Sequence, residues 1–587
     1  MITHRLPQDA FVGLTTGPWR HQDLRRLRDG QFSKNLLTLR AVVDGIRRHA
    51  AHKDHLAVNL AALSRAQQAS PEQFRAVMTH HQVGRWLTAA LQQVSNGDKR
   101  VTSFDHVAGI GAVALACAIR ANRPTTVRVL ARRGRILVPS LGELELRRPV
   151  NRLLHLQFRT GGARHPAAVG RLVCRPATLR SSMWRPVRSL RIGAAAAAWT
   201  PELDDIDPYR AVYGGVASPR LSDSSVRWWS DRLNAAWRLI AARHPHWARS
   251  VADVVDAIVP LAAPPGGGNV SATARGAFGA VALNSPTTDH SLAATLIHEL
   301  RHTVLNGIND LRPLYLLPRR QLYHSPWRDD PRPAAGLLHG AFAFTAVAGF
   351  WLNEPRSASP FATFEFALTR SQVLQALDTL RTCRELTTDG LMLCELMQGV
   401  AAGWPTGQIS DVVARAATDL VVEQRARWWL GQAVADPSHA AGWTDAWQRR
   451  AAAPDLAGHR LPSLGPARFR PVQPRTSGRS AALCDAARNL LASGVGSASP
   501  LLSRGDRLLL EGDHRAAAED YQRAISRDRA DVAAWSGLVA CAPHVGLPAL
   551  ARHPTLAFTL AQVDDRAPVD VAALAAWLAP ANAAEAR

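Results

Sequence analysis

Along residues 1 to about 100, apolar side chains recur at helical spacing. Leu36, Leu37, Leu39, Val42, Val43 and Ile46 form one such series, and Leu56, Val58, Leu60 and Leu63 form the next. Around 101–175 the period changes to two. Thr126–Leu130 and Arg135–Val138 flank Arg133-Gly134-Arg135, which predicts a hairpin, and Leu144 and Leu146 interleaved with Glu143 and Glu145 continue the alternation. Helical spacing returns at about 223–260, where Trp228, Trp229, Leu233, Trp237 and Ile240 predict an aromatic stripe packed into a core. Pro264–Gly268 is a loop signal, and Phe278–Leu283 predicts a short buried strand. Thr287, Thr288 and Asp289 supply cap chemistry for the helix that follows. Residues 310–335 carry enough Pro and Arg to predict irregular structure. Gly336–Leu352 is an apolar helix, residues 360–450 are helical throughout, and the prolines between 454 and 474 mark a linker.

The pattern predicts a mainly α chain with a smaller α+β portion. Its expected parts are a helical region (1–100), a small α+β module (101–220), a central domain with a helical extension (221–452), a Pro-rich linker (453–480) and a helical tail (481–587). In the tail, Gly505, Leu508–Leu510, Ala516–Ala518, Tyr521, Ala524 and Trp535 resemble one tetratricopeptide repeat, in which small residues let two antiparallel helices pack closely. That resemblance implies protein or peptide contact. A single copy cannot bury its own faces, so neighbouring helices are expected to cover it.

Composition narrows the function classes. No apolar stretch approaches the roughly 20 residues a membrane helix needs, and the N-terminus shows no apolar segment behind a basic flank, so neither a membrane span nor a secretory signal is expected. Six scattered cysteines without a CxxC pair argue against a disulfide framework or a Cys-ligated zinc ribbon and fit a cytoplasmic protein. Lys+Arg 70 against Asp+Glu 47 gives a net charge of +23, which raises the question of a nucleic-acid partner. Only Lys34, Lys53 and Lys99 are lysines, however, and the arginines are spread along the chain. The even spread argues against a nucleic-acid footprint and leaves docking of an acidic peptide open.

Chemistry concentrates at His298-Glu299-Leu300-Arg301-His302, an HExxH. On a helix, positions i and i+4 share a face, so both imidazoles can reach one metal ion. The segment from His290 to Leu305 has no Pro or Gly, Thr288 or Asp289 is placed to cap it, and Gly307 is a candidate for its end. The strand before it stands where an edge strand stands in zincin metallopeptidases. The bland alternative is two histidines on a helix face with ordinary hydrogen-bond partners. A metal site needs a third protein ligand and open positions. The candidates downstream are His324 in a Pro-containing loop, His339 on the apolar helix, Glu354 and Glu365.

HELRH, followed by Ser325–Pro333 (SPWRDDPRP) and Gly336–Gly340 (GLLHG), resembles the HExxH-type peptide-modifying proteins of bacterial pathways for ribosomally made, modified peptides. These are regarded as 2-oxoglutarate-dependent peptide β-hydroxylases. The resemblance covers residues 270–352 most closely. It implies His298 and His302 as iron(II) ligands with His339 as the third, a third imidazole standing where such sites usually have a carboxylate. It also implies a cationic fork for the far carboxylate of 2-oxoglutarate, for which Arg328 and Arg332 are the candidates, and Trp327 as a pocket wall. Dioxygen and a ribosomal precursor peptide complete the expected set, and the helical tail is a candidate contact for other maturation enzymes.

Glu299 separates the readings. In a zinc peptidase it is the general base that activates water; in an iron hydroxylase it orients a ligand or water. Three functions therefore stand: an iron(II)/2-oxoglutarate oxygenase acting on the β-carbon of a peptide residue, a zinc metallopeptidase trimming a leader peptide, and a non-catalytic peptide-binding scaffold.

Overall fold

The computed structural model describes residues 4–47, 53–95, 109–146, 149–159, 171–175, 181–194, 198–214, 219–263, 269–284, 288–316, 321–355, 361–407, 409–432, 437–451, 453, 478–494, 499–563 and 569–579. The expected loop Pro264–Gly268, the cap candidate Thr287 and nearly all of the expected linker lie outside these residues. The chain is mainly helical with small sheets and forms two compact units, Met1–Arg312 and Pro313–Arg587. The HExxH segment closes the first unit, and the segment containing His324, Arg328, Arg332 and His339 opens the second.

The first unit begins with helices α1 (Gln8–Thr16), α2 (His21–Arg47), α3 (Lys53–Ala69), α4 (Pro71–Met78), α5 (His81–Ser95) and α6 (Gly109–Arg120). Strands β1 (Thr125–Ala131), β2 (Arg135–Val138), β3 (Gly142–Leu146), β4 (Arg152–Arg159), β5 (Arg171–Arg175) and β6 (Ser181–Pro186) follow. Helices α2–α6 and strands β1–β4 share one core: Leu39, Val42 and Ile46 of α2 belong to the same buried cluster as Val127, Val129 and Leu156. The expected hairpin is present only at its tip. Arg132 and Arg135 exchange both backbone hydrogen bonds at 2.8 Å, and Arg133 and Gly134 take positive φ (49° and 76°), the geometry of a type I′ turn. Beyond the tip the strands part. β1 joins a sheet in the order β1-β4-β5, and β2 joins another in the order β2-β3-β6. Each strand has a longer antiparallel partner elsewhere, β1 over Thr125–Ala131 with β4, and β2 over Arg135–Val138 with β3.

A five-stranded sheet organises the rest of the unit, in the order β10-β11-β9-β8-β7. Its strands are β7 (Arg188–Ser189), β8 (Glu202–Leu203), β9 (Ala257–Pro260), β10 (Ser271–Ala272) and β11 (Ala280–Leu283). β8, β9 and β11 are parallel, and antiparallel β7 and β10 form the edges. The strand expected before the HExxH helix is therefore Ala280–Leu283, and it is interior to the sheet; the edge is β10. Continuous burial along β9 and β11 fits strands covered on both faces. Between β8 and β9 run α7 (Asp223–Arg243) and α8 (Pro245–Val254). The tryptophan stripe on α7 packs as expected at Trp229 and Trp237, the latter stacked on Trp199 at 5.4 Å, whereas Trp228 is exposed. The unit ends on α9 (Asp289–Leu311), the HExxH helix.

The second unit opens on a two-stranded ribbon, β12 (Leu322–Ser325) and β13 (Arg328–Pro333), where the sequence predicted irregular structure. A two-stranded ribbon has only edge strands, and edges tolerate the missing N–H of Pro331 and Pro333. The ribbon is followed by α10 (Ala334–Leu352), α11 (Ala362–Arg381), α12 (Thr388–Ala402), α13 (Asp411–Gln432) and α14 (Pro437–Gln448). Helix α10 corrects one expectation from composition: its 19 residues are long and apolar enough to cross a membrane by length and composition, and 67% of that window is buried inside the protein. The tail consists of α15 (Arg479–Ser493), α16 (Arg504–Glu511), α17 (His514–Arg527), α18 (Val532–Cys541), α19 (Pro548–Arg552), α20 (Pro554–Val563) and α21 (Val571–Trp577).

A buried charge network ties the tail to α13. The Asp506 carboxylate accepts from Arg479 Nη1 (2.7 Å) and Nη2 (2.6 Å), from the Tyr521 hydroxyl (2.7 Å) and from the Ser503 backbone N–H (2.8 Å). Four donors satisfy the acceptor capacity of a carboxylate. Arg479 also meets Glu423 of α13 at 3.3 Å, and Glu423 accepts from Ser536 at 2.9 Å. Breaking a buried pair strands its partner, so Asp506→Ala should lower the stability of this unit by about 3–5 kcal/mol. Denaturant unfolding of the full chain measures this; an unchanged transition for the tail would contradict the assignment.

Candidate metal centre

Helix α9 is capped as its sequence predicts, with the Thr288 side chain accepting from the Ser291 backbone N–H. It does not end at Gly307. It continues to Leu311, and Gly307 serves as a contact point where a Cβ would lie 3.2 Å from Phe278 and 3.3 Å from Leu27. The helix is buried on nearly all sides, with Leu292, Leu296, Ile297, Leu300, Val304 and Ile308 fully enclosed. Between Ser291 and Asn309 the positions not fully buried are Ser291, Thr295, His298, His302 and Asn306. Spacings of three and four place these on one stripe. Both motif histidines lie on it.

His298 Nε2 and His302 Nε2 are 2.9 Å apart, with the rings edge to face at 90°. Burial lowers the His298 pKa well below the usual imidazole range, which keeps the ring neutral and so competent as a ligand. Glu299 stands beside them, with a carboxylate oxygen within 4.8 Å of both imidazoles. Its side chain is 1% exposed, and its Oε1 stands 4.0 Å from His298 Nε2. Burial pushes its carboxyl up to about 7, the hydroxyls of Ser271 and Thr273 beside edge strand β10 offset part of that push, and Oε2 has no hydrogen-bond partner. Arg301 extends from a further face and donates to the carbonyls of Leu14 (3.4 Å) and Thr15 (3.2 Å) near the C-terminal end of α1, where a cation is favoured. Each residue of HELRH thus has a separate task fixed by its angle around the helix.

Sequence reasoning missed what stands behind Glu299. Tyr213 is buried with its hydroxyl unpartnered, and its pKa is raised by burial, with the Glu299 charge among the smaller causes. The Arg85 guanidinium lies over the Tyr213 ring at 5.2 Å and pairs with Asp204 (2.7 Å) and Asp207 (2.5 Å). His81 also meets Asp204, at 2.9 Å. Adjacent His80-His81 is the one hint of this in the sequence; the acids come from residues 202–207, too remote for pattern reading.

In the second unit, Gly336, His339 and Gly340 share a face of α10. The Trp327 ring sits on Gly340, where a Cβ would come within 2.7 Å of it, and stacks on Phe344 at 4.6 Å. Arg332 lies over Gly336. The structure therefore gathers Trp327, Arg332 and His339 on one side of this helix. Arg328, Asp330 and Arg332 alternate along β13, and both arginines pair with Asp330, at 2.7 Å and 3.1 Å. Arg332 is the less exposed of the two, 34% against 55%. His324 is a different case. It is buried on β12 against Trp428 with Nε2 unpartnered, and burial, helped by Arg425 and Arg427, pushes its pKa down to about 3. Glu365 is taken up by Arg488. Glu354 is buried beyond the end of α10.

Two further clusters of ligand-type side chains occur among the described residues: His80, His81 and Glu202, and Asp419, His514 and His544. Neither has the motif's geometry. His80 and His81 face separate carboxylates, each at 2.9 Å. His514 and His544 stack nearly parallel (17°, 3.8 Å), and their Nε2 atoms meet the two oxygens of the Asp419 carboxylate at 2.8 Å and 3.5 Å.

No protein-family model matches the chain, and comparison with curated proteins gives no match.

The His81 network gives a pH prediction. Burial, aided by His80, pushes the His81 pKa down to about 4, while the unfolded chain takes up that proton near the ordinary value of about 6.5. The unfolded state then binds more protons below that value. Stability of the first unit should fall as pH drops from about 6.5 towards 4, and His81→Gln should flatten this dependence. Denaturation midpoints across that range measure it.

Proposed function

We propose that the chain is an iron(II)/2-oxoglutarate oxygenase that hydroxylates the β-carbon of a residue in a ribosomally synthesised precursor peptide. The observation that carries this reading is the convergence of two imidazoles, 2.9 Å apart, on the single open stripe of a buried helix. That donor pair fits a first-row metal. In this reading His298 and His302 are two ligands, and the resemblance of HELRH, SPWRDDPRP and GLLHG to peptide β-hydroxylases supports iron and implies His339 as the third. Iron(II) held there supplies oxygen activation, with 2-oxoglutarate as the reducing cosubstrate.

The remaining roles belong to the protein's own groups. Arg332 holds the far carboxylate of 2-oxoglutarate, because it is the less exposed arginine and lies on the His339 side of α10. Trp327, seated on Gly340, excludes water. Glu299 fixes the motif helix against β10 and carries no required proton transfer. The helices α16 and α17 form the tetratricopeptide-like portion and offer a surface for the peptide or for another maturation enzyme.

One observation favours a second reading. A buried Glu299 with its pKa near neutrality, beneath an antiparallel edge strand, is also what a zincin-like zinc peptidase acting on a leader peptide would need.

Four measurements separate the two. With iron(II) and 2-oxoglutarate in the absence of oxygen, a weak visible charge-transfer band should appear, and it should vanish in His298→Ala and His302→Ala together with bound metal. Peptide mass should rise by about 16 Da, one oxygen atom, without cleavage. Arg332→Ala should raise the 2-oxoglutarate requirement roughly ten- to a hundredfold, the worth of one charge-assisted hydrogen bond, while Arg328→Ala should change it little. Glu299→Gln should leave most hydroxylation intact; complete loss of activity with cleavage as the lost reaction would establish the peptidase.

A further inference from the structure

The parting of β1 and β2 beyond their shared turn opens a cavity of about 280 Å³ in the first unit. Its walls include Leu130 and Arg132 from one side of the turn and Arg135 and Leu137 from the other, with Trp86 and Val113 among its helical lining. Arg210 is a third arginine in its lining, against one acid, Glu143. Arg135 approaches Glu143 at 3.8 Å, and burial raises the Glu143 pKa. The lining is therefore apolar in its body and cationic in its balance.

One polar group in this lining lacks a partner. Gln82 is 1% exposed. Its Oε1 accepts from the Ser140 backbone N–H at 3.0 Å, which fixes which end of the amide is which, and its Nε2 has no hydrogen-bond partner. A buried donor left unmatched is destabilising, so its place in a cavity wall points to an acceptor supplied from outside. Small-molecule pockets usually start near 300 Å³. This one suits a body no larger than a single aromatic or branched side chain.

We propose that this cavity binds a small apolar carboxylate, its acid group taken by the Gln82 amide and the arginines and its body lying on Trp86, Val113 and the two leucines. The inference is independent of the oxygenase reading, because none of these residues belongs to the metal centre. The carboxylate can be a free acid or the C-terminal residue of a peptide; the recognition chemistry is the same.

The experiment is calorimetric titration of the full-length protein with 3-phenylpropanoate, with the matching neutral 3-phenylpropanamide, and with the peptide Gly-Gly-Phe. The acid should bind and the amide should bind at least tenfold more weakly. Gln82→Glu keeps the acceptor for Ser140 and turns the unmatched donor into an acceptor, so it should weaken the acid at least tenfold. Arg132→Ala should weaken it as well, which keeps the test decisive if the first variant folds poorly. Tighter binding of Gly-Gly-Phe than of the acid assigns the cavity to peptide termini, and the reverse assigns it to free acids; either supports the proposal. Equal binding of acid and amide, or no binding of either carboxylate at millimolar concentration, overturns it.

Discussion

The structure depends on how the motif helix is enclosed. An α-helix presents side chains every 100°, and α9 is covered on every side except along the line of Ser291, Thr295, His298, His302 and Asn306. Burial of the other faces fixes the rotation of the helix, and with it the direction of both imidazoles. Arg301 anchors one face at the end of α1, Glu299 is held beneath β10, and the leucine and isoleucine positions fill the rest. Two histidines on a solvated helix would sample many relative orientations. Here the packing removes that freedom, the condition a short motif would need for tight coordination.

Elsewhere the second unit uses small residues to the same end. Gly336 and Gly340 leave room on α10 for the ribbon side chains Arg332 and Trp327, so a flat, apolar helix face becomes one that carries an arginine, an indole and an imidazole together. The ribbon is held in turn by Arg427 of α13, which meets Asp329 at 3.2 Å. A chain of buried ion pairs then leads from Arg427 through Glu423 to Arg479 and Asp506. Placement of the candidate arginine and histidine in this unit is thus backed by charge pairing as well as by packing.

Local pattern revealed the parts of the site that are local. HELRH and its cap at Thr288 lie within one segment, and their helix forms as the 3.6 period predicts; the apolar run Gly336–Leu352 and, on α7, Trp229 and Trp237 behave likewise, while Trp228 faces out. Three features were hidden for identifiable reasons. Ribbon β12–β13 was masked by prolines that rule out a central strand but not an edge. The partner choice of β1 and β2 was set by β4 and β3, which lie further along the chain than a turn signal reaches. The acids around Arg85 and Tyr213 come from residues 204 and 207, over a hundred positions from Arg85, and nothing in either segment announces the other.

The saturated Asp506 carboxylate bears on how the tail can be cut. All its acceptor sites are used by Arg479, Tyr521 and Ser503, and Arg479 passes the connection on to Glu423 in α13. Leu430 and Trp447, from α13 and α14, also share a buried cluster with Trp535 and Leu560. A protein ended before residue 479 would leave Glu423 with Arg427 as its one remaining guanidinium partner, along with an uncovered aromatic surface. The C-terminal helices are therefore not a detachable appendage: nicking in the preceding proline-rich segment should leave two fragments that stay together, and only denaturation should separate them.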